Sequence, residues 1–162
     1  MNKLLILDID GVMTDGTKVY DREGNVVHKR FADQDYTAIR LFRARGWDVC
    51  FLSSDDFNRD MASRRGIDFW HSRLPDGTIN KVGMLPDLSK HYDVEIEEMV
   101  YVGDDIFDAP VMFAIKDGGG KCYCPKGSAP FVARHFDMIC RTGGTGVVMA
   151  LYDSIYGDNV NV

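Results

Sequence analysis

The sequence predicts an α/β fold in which a parallel β-sheet lies between two layers of helices. Short apolar runs alternate along the chain with stretches of helical periodicity, and this alternation is typical of βαβ units with right-handed crossovers. Residues 4–7 form the first apolar run and include no polar position. A strand of that kind belongs in a parallel sheet whose two faces are both covered.

The length of the chain indicates a single domain. A chain of 162 residues can bury a core but is short for an α/β enzyme with a separate lid. We therefore predict one domain over residues 1–162, with no cap domain. The content of 45% hydrophobic and 27% charged residues is typical of soluble globular proteins. Because no apolar run has the length of a signal peptide or a membrane span, we expect a cytoplasmic protein with no membrane partner.

Charge and cysteine content argue against two other kinds of protein. The formal net charge of -6 and the lack of a Lys/Arg cluster are poorly suited to nonspecific nucleic-acid binding. Cys122 and Cys124 have the wrong spacing for a zinc knuckle. We therefore expect the four cysteines of the chain to be reduced and mostly buried.

Two aspartates follow the first strand directly. Asp8 and Asp10 are two positions apart, so in an extended segment their side chains would share a face. A turn at Gly11 would leave both at the carboxyl end of the strand, where open α/β sheets bind ligands. Two neighbouring carboxylates repel each other, and a hard divalent cation such as Mg²⁺ would relieve that repulsion.

A β-hairpin is predicted next, over about residues 17–31. Two alternating stretches, residues 17–20 and 25–31, flank a four-residue loop that ends in Gly24, as is typical of a hairpin. An isolated hairpin is at best marginally stable in water, so this one must pack on another surface.

The periodicity then predicts an amphipathic helix over residues 37–45, ended by Gly46. Asp35 stands where it could cap this helix. A second buried strand is predicted over residues 47–52, with Ser53 at its carboxyl end. A hydroxyl group there could donate a hydrogen bond to a phosphate oxygen. The alternative is that this turn only caps the next helix.

The third helix is predicted to begin at Lys81, after a short third strand over residues 67–71. An ammonium group there could stabilise the negative charge on a phosphoryl group during its transfer, although most lysines are simply solvated. Pro86 lies inside this predicted helix and should break or kink it near Leu85.

A second acidic cluster follows the next buried strand, residues 99–102. Asp104, Asp105 and Asp108 come after a glycine that permits a tight turn. They supply the further carboxylates that a hard cation at Asp8 would need. The alternative for Asp105 and Asp108 is that they favour the dipole of the helix they precede.

The remaining residues predict two more strands and two more helices. The strands are expected over residues 121–124 and, at an edge of the sheet, over residues 136–140. A short helix is expected over residues 129–135, and a glycine turn at residues 142–146 precedes the last helix. We expect the tail beyond Tyr156 to be loose.

Four of these segments resemble the motifs of one enzyme superfamily. Residues 8–16, Asp-Ile-Asp-Gly-Val-Met-Thr-Asp-Gly, resemble the first motif of the haloacid dehalogenase-like phosphatases, in the form carried by the 3-deoxy-D-manno-octulosonate 8-phosphate phosphatases. The run Gly-Asp-Asp-x-x-Asp that begins at Gly103 closely resembles their fourth motif. Ser53 and Lys81 match the second and third motifs. The resemblance covers residues 4–153, and an ordered set of four motifs rarely arises by chance.

The resemblance implies a Rossmann-like, three-layer α/β fold without a cap domain, and it implies the activity of a Mg²⁺-dependent phosphatase. Asp8 would attack phosphorus and form an aspartyl phosphate, and Asp10 would act as general acid and base. Mg²⁺ would be bound by Asp8, by Asp10 through its main-chain carbonyl, and by Asp104.

The resemblance also implies roles for other residues. Ser53 and Lys81 would hold the phosphoryl oxygens, while Asp105 and Asp108 would keep Lys81 and the water around the ion in position. Asp35 matches an aspartate that the family carries before its first helix.

For substrate and assembly, the resemblance implies a phosphorylated 3-deoxy-ulosonic acid, such as octulosonate 8-phosphate or nonulosonate 9-phosphate, and a homotetramer. The hairpin would be a flap over the active site of a neighbouring subunit. Two departures leave the sugar open, since Ser54-Asp55 replaces a common Gly-Arg and Met149-Ala150 replaces a common Arg-Glu. The alternatives are a phosphatase for another small metabolite, a phosphotransferase or mutase, and a non-catalytic assembly module.

Overall fold

A computed structural model describes residues 3–157 of the chain. The strands, in chain order, are β1 (Lys3–Leu7), β2 (Val19–Tyr20), β3 (Val26–His28), β4 (Trp47–Ser53), β5 (Asp68–His71), β6 (Met99–Val102), β7 (Lys121–Pro125) and β8 (Asp137–Ile139). The α-helices are α1 (Asp33–Ala44), α2 (Arg59–Arg64), α3 (Leu85–Tyr92), α4 (Ala109–Asp117), α5 (Pro130–His135) and α6 (Val147–Tyr156). Short 3₁₀ turns occupy Asp56–Asn58, Val82–Met84 and Ile96–Glu98.

Six of the strands form one sheet in the order β5-β4-β1-β6-β7-β8. Every pairing in this sheet is parallel, which confirms the predicted α/β class. β1 lies between β4 and β6, so the chain moves outward from β1 in both directions. That reversal of strand order creates a crevice at the carboxyl ends of the central strands, where open α/β sheets bind their ligands.

The side chains of β1 explain why its sequence is continuously apolar. Leu5 and Leu7 belong to the core on one face of the sheet, together with residues of α1 and α6. Leu4 and Ile6 belong to the core on the other face, together with residues of α3 and α4. All four are fully buried, because alternate side chains of a strand point to opposite faces and both faces are covered by helices.

The predicted hairpin is present as a separate two-stranded antiparallel sheet of β2 and β3. Its turn is held by the Asp21 side chain, which accepts hydrogen bonds from the backbone N–H groups of Glu23 and Asn25. The strands themselves are short, and Val19, Tyr20 and Val27 are each more than half exposed. Such a hairpin depends on contacts outside itself for its stability.

Two details of the α3 region differ from the prediction. Pro86 does not interrupt the helix, because α3 begins at Leu85 and Pro86 lies in its first turn. The missing N–H of proline costs nothing there, since the first N–H groups of a helix have no partner within it. Lys81 accordingly precedes the 3₁₀ turn Val82–Met84 and does not open α3 itself.

Asp35 caps a helix, but a different one from the helix predicted. It lies inside the first turn of α1, fully buried, and its Oδ1 accepts a hydrogen bond of 2.7 Å from the backbone N–H of Val148. The N–H of Met149 points to the same oxygen at 3.4 Å. The Asp35 side chain therefore satisfies the N-terminal N–H groups of α6 and ties α6 to α1.

We expect Asp35→Ala to lower the free energy of unfolding by about 1–3 kcal/mol, because the buried N–H of Val148 would lose its acceptor. Asp35→Asn keeps an acceptor oxygen and should cost less. Urea unfolding measures both. Asp33→Ala is the matched control, since the Asp33 carboxylate lies in the same helical turn but is largely exposed. Equal losses from the Asp33 and Asp35 alanine variants would contradict this role.

The thiol groups are mostly buried, as expected. Cys50, Cys122 and Cys124 are buried, Cys140 is exposed, and all four are free. Within residues 3–157, no helix has the length and apolar character needed to cross a membrane. The loose tail predicted beyond Tyr156 falls mainly on residues 158–162, which lie outside the described residues. The single-domain assignment over residues 1–162 stays a prediction.

Candidate active site

The structure brings all of the predicted site residues to one cavity at the carboxyl ends of β1, β4 and β6. The cavity has a volume of about 720 Å³. Its lining includes Asp8, Asp10, Ser53, Lys81, Asp104, Asp105 and Asp108. The sheet order places the carboxyl ends of β1, β4 and β6 side by side, and Lys81 comes from the segment between β5 and α3.

Asp8 extends the pairing of β1 with β6 by one residue. Its backbone N–H donates to the carbonyl of Val102 at 3.0 Å, and its Oδ1 accepts from the N–H of Ile9 at 2.8 Å. The chain then turns sharply at Gly11, which has a φ of 84°. A Cβ at Gly11 would overlap the Asp104 carboxylate, so both the backbone angle and the nearby carboxylate require glycine there.

Lys81 joins the first acidic motif to the second. Its Nζ lies 3.0 Å from Asp8 Oδ1 and 2.6 Å from Asp108 Oδ1, and its side chain is only 4% exposed. The buried hydroxyl of Tyr101 also donates to Asp108 Oδ1, at 2.7 Å. Sequence reasoning had treated Tyr101 as an ordinary core residue, because nothing local to the strand shows which side chain its hydroxyl group meets.

Asp108 organises the loop between β6 and α4. Its Oδ2 accepts hydrogen bonds from the backbone N–H groups of Asp104 and Asp105, at 3.0 and 3.1 Å. With Lys81 and Tyr101 on its Oδ1, the Asp108 carboxylate has four donors. The Asp105 side chain instead accepts from the N–H of Ile106 and is exposed. Of the two residues expected to orient Lys81, Asp108 makes the contact.

The site has the donor atoms that a hard divalent cation needs. Carboxylate oxygens of Asp8, Asp104 and Asp108 lie within 4.8 Å of one another. Asp104 Oδ1 is buried and has no hydrogen-bond partner, whereas both oxygens of Asp108 are occupied by donors. The residues present therefore fit a cation held chiefly by Asp8 and Asp104. The Asp10 carboxylate is not part of this cluster, because both of its oxygens accept hydrogen bonds from Lys29.

The cluster of Asp8, Asp104 and Asp108 carries more negative charge than Lys81 balances. Burial raises the pKa of the Asp8 carboxyl well above its usual range, and Asp108 adds to this while Lys81 opposes it. Burial and repulsion from Asp108 and Asp105 raise the pKa of Asp104 to about 7. Burial lowers the pKa of Lys81, but attraction to Asp8 and Asp108 outweighs it and raises that pKa overall. A bound cation would reverse the shifts of the two carboxyls.

We expect divalent-cation binding to weaken below pH 7, by up to about tenfold per pH unit, because a cation must displace the proton on Asp104. The raised Asp104 pKa means that the folded metal-free protein binds more protons than the unfolded chain between about pH 4 and 7. In that window, ionisation of Asp104 lowers stability as the pH rises.

Thermal unfolding with and without Mg²⁺ tests this expectation. The rise in Tm on adding Mg²⁺ should grow between pH 5.5 and about 8 in the native protein, and it should be lost in Asp104→Asn. Asp117→Asn, an exposed position at the end of α4, serves as the control. A Tm increase that does not depend on pH would contradict the assignment.

Ser53 and Asp10 complete the inner part of the cavity. Ser53 ends β4 and is nearly fully buried; its Oγ accepts from the N–H of Asp55 at 3.2 Å, so its hydroxyl hydrogen is free to donate. Capping, the alternative for this turn, is done by Asp55, which accepts from the N–H of Phe57 and caps the 3₁₀ turn Asp56–Asn58 that precedes α2. The Asp10 carboxylate is bound by Lys29, with Nζ at 2.7 and 2.9 Å from its two oxygens. Sequence reasoning missed Lys29 because an alternating hairpin strand offers no sign of that contact.

Curated relatives show which family the chain is related to. It is 30% identical over 154 residues to the 3-deoxy-D-manno-octulosonate 8-phosphate phosphatase KdsC of Haemophilus influenzae, and the match covers 94% of this chain and 82% of that protein. The chain belongs to the KdsC family of haloacid dehalogenase-like phosphatases. The KdsC protein of Escherichia coli strain K12 is 29% identical over 93% of this chain and 77% of its own length. No protein-family model matches the chain.

Solved structures of the KdsC family agree with this membership. The cobalt-bound form of the deoxy-D-mannose-octulosonate 8-phosphate phosphatase from Haemophilus influenzae superposes with a TM-score of 0.81 at 28% identity, covering 94% of this chain and 86% of that one. Membership in the KdsC family makes this protein a phosphoric monoester hydrolase. The residues at the carboxyl ends of β1, β4 and β6 are its candidate catalytic groups.

Proposed function

We propose that this protein is a Mg²⁺-dependent phosphatase that hydrolyses the phosphate monoester of a 3-deoxy-ulosonic sugar acid through an aspartyl phosphate on Asp8. The observation that carries the proposal is the contact of buried Lys81 with Asp8, beside the free carboxylate oxygen of Asp104. That arrangement supplies a nucleophile, a fixed positive charge and the ligands for a cation. The names of the KdsC relatives support the class of substrate.

The chemistry is divided among the residues of the cavity. A divalent cation on Asp8 and Asp104 would screen the negative charge of the phosphate ester. Asp8 attacks phosphorus, and the P–O bond to the sugar breaks. The Lys81 ammonium and the Ser53 hydroxyl stabilise the charge on the phosphoryl oxygens. The Asp10 carboxyl gives its proton to the leaving alkoxide and then takes a proton from the water that hydrolyses the aspartyl phosphate.

The size of the cavity supports a sugar phosphate as the substrate. A volume of about 720 Å³ lies within the range of roughly 300–1,000 Å³ found for small-molecule sites. Octulosonate 8-phosphate and nonulosonate 9-phosphate are the two candidates. The cavity lining also includes His71 and Arg73, and we expect these polar and positively charged groups to contact the part of the substrate beyond its phosphate.

We also propose that the protein is a homotetramer in which the hairpin of one subunit covers the active site of a neighbour. The exposed apolar side chains of Val19, Tyr20 and Val27 support packing of the hairpin on another surface, because burying them would be favourable. Light scattering coupled to gel filtration measures the mass. A monomer at micromolar concentration would contradict this part of the proposal.

Phosphate release from a panel of substrates tests the function. The panel should contain the two ulosonate phosphates and unrelated sugar phosphates such as glucose 6-phosphate, each with Mg²⁺ and with EDTA. We expect Mg²⁺-dependent release that is fastest with an ulosonate phosphate. Faster release from an unrelated phosphate would indicate a phosphatase for another metabolite, and no release from any compound would favour a non-catalytic assembly module.

A further inference from the structure

A network of four charged side chains connects the hairpin to the candidate active site. Lys18 and Lys29 flank the two hairpin strands, while Asp10 and Asp55 follow the central strands β1 and β4. Lys29 Nζ lies 2.7 Å from Asp10 Oδ1 and 2.9 Å from Asp55 Oδ2. Lys18 Nζ lies 2.7 Å from the same Asp55 oxygen. Both lysines of the hairpin are thus bound by carboxylates of the cavity wall.

Lys29 is an unusual lysine because its side chain is fully buried. A buried ammonium group is tolerated only when its charge and its N–H donors are satisfied. Here they are satisfied by Asp10, by Asp55 and by the amide oxygen of Asn58, which lies 3.2 Å away. Because its side chain is covered, Lys29 can influence the reaction only through the groups that it binds.

Asp55 supplies the counter-charge that this arrangement requires. Burial opposes its ionisation, but the hydrogen bonds from Lys18 and Lys29 outweigh burial and hold the pKa of the Asp55 carboxyl well below its usual range. Asp55 belongs to the Ser54-Asp55 pair, where the resemblance to the phosphatase family implied Gly-Arg. In this chain its negative charge is used within the protein, to hold the hairpin lysines.

We propose that Lys29 is a positioning residue that fixes the Asp10 carboxyl in the cavity, and that Asp55 keeps Lys29 in place, so that Asp10 is correctly placed only when the hairpin is seated. This inference rests on the proposed function, in which Asp10 protonates the leaving group. Lys29 and Asp55 would thus affect the rate of the reaction although neither contacts the substrate.

Dependence of the rate on the leaving group distinguishes positioning of Asp10 from a general structural role. Cleavage of an alkyl phosphate needs a proton for the departing alkoxide, whereas the phenolate of p-nitrophenyl phosphate leaves without one. General acid catalysis contributes about 10²–10⁴-fold when the proton is needed. For Lys29→Met we expect kcat to fall about 10²-fold on a sugar phosphate and less than about 5-fold on p-nitrophenyl phosphate.

Two further variants complete the experiment. Asp55→Asn keeps Lys29 but removes its second carboxylate, so it should show a smaller loss with the same preference for p-nitrophenyl phosphate. Lys90→Met is the control, because Lys90 is equally cationic but exposed on α3, outside the hairpin, and it should behave as the native protein. Circular dichroism checks folding. If Lys29→Met fails to fold, Asp55→Asn decides the question.

Limited proteolysis at the hairpin loop gives a second readout that does not depend on turnover. Loss of the anchoring contacts should make residues 21–25 more susceptible to cleavage in Lys29→Met and Asp55→Asn, but not in Lys90→Met. Equal losses of kcat on both phosphate esters, or no loss on either, would overturn the inference while leaving the proposed function intact. A native protein that hydrolyses neither ester would overturn both.

Discussion

Replacing Asp8 with asparagine is expected to abolish phosphate release, with kcat lowered by at least roughly 10⁴-fold, as is typical when a nucleophile is removed. An amide cannot form the covalent aspartyl phosphate, and it offers a cation a weaker ligand than a carboxylate does. Phosphate release with saturating substrate and Mg²⁺ measures the effect. Heat-denatured protein of unchanged sequence, assayed in parallel, gives the background rate of phosphate release.

The same substitution should leave the fold intact. Lys81 keeps its contact with Asp108 at 2.6 Å, and removal of the Asp8 charge lessens repulsion among buried carboxylates, so the Tm should not fall appreciably. Asp15→Asn is the matched control, since Asp15 belongs to the same loop, is exposed and accepts hydrogen bonds from Thr17. Activity of the Asp8 variant within about tenfold of the native rate would exclude Asp8 as the nucleophile.

Replacing Lys81 with methionine is expected to lower both activity and stability. Loss of a fixed donor to developing charge typically costs about 10²–10³-fold in kcat. Removing one partner of a buried ion pair costs about 3–5 kcal/mol, and Lys81 lies between two buried partners, Asp8 and Asp108. Kinetics and urea unfolding at pH 8 without metal measure the two effects. Lys90→Met, at an exposed position of α3, is the control.

The stability of the Lys81→Met variant should increase as the pH falls. The pKa values of Asp8 and Asp104 are already raised in the native protein, and loss of the ammonium removes an influence that lowers both. A carboxyl whose pKa is raised in the folded state binds a proton more tightly there than in the unfolded chain, so the variant should regain stability as the pH falls from 8 to 6. Mg²⁺ at pH 8 should restore part of the loss. An equal loss at both pH values, with no response to Mg²⁺, would contradict this account of the site.

The amino-acid sequence by itself determined the class of fold and the position of the acidic groups along it. The apolar run of β1 and the alternation of strands and helices are local properties of the chain. A strand buried on both faces is continuously apolar, whereas a helix buried on one face has apolar residues at helical spacing. Asp8 directly follows the apolar run of β1, Asp10 comes two positions later, and Asp104 follows the apolar run of β6 after a single glycine. Their placement at one edge of a parallel sheet therefore needed only the direction of the strands.

The tertiary structure alone decided which side chains meet. Asp35 and Val148 are 113 positions apart, and Lys29 and Asp10 are 19 apart; both contacts depend on how separate elements pack. The second carboxylate bound to Lys29, that of Asp55, depends on the insertion of β1 between β4 and β6. The physical reason is that periodicity in a sequence indicates whether a side chain is buried, but not which group it contacts. The partner of a buried polar group depends on the order of the strands and on where the hairpin packs.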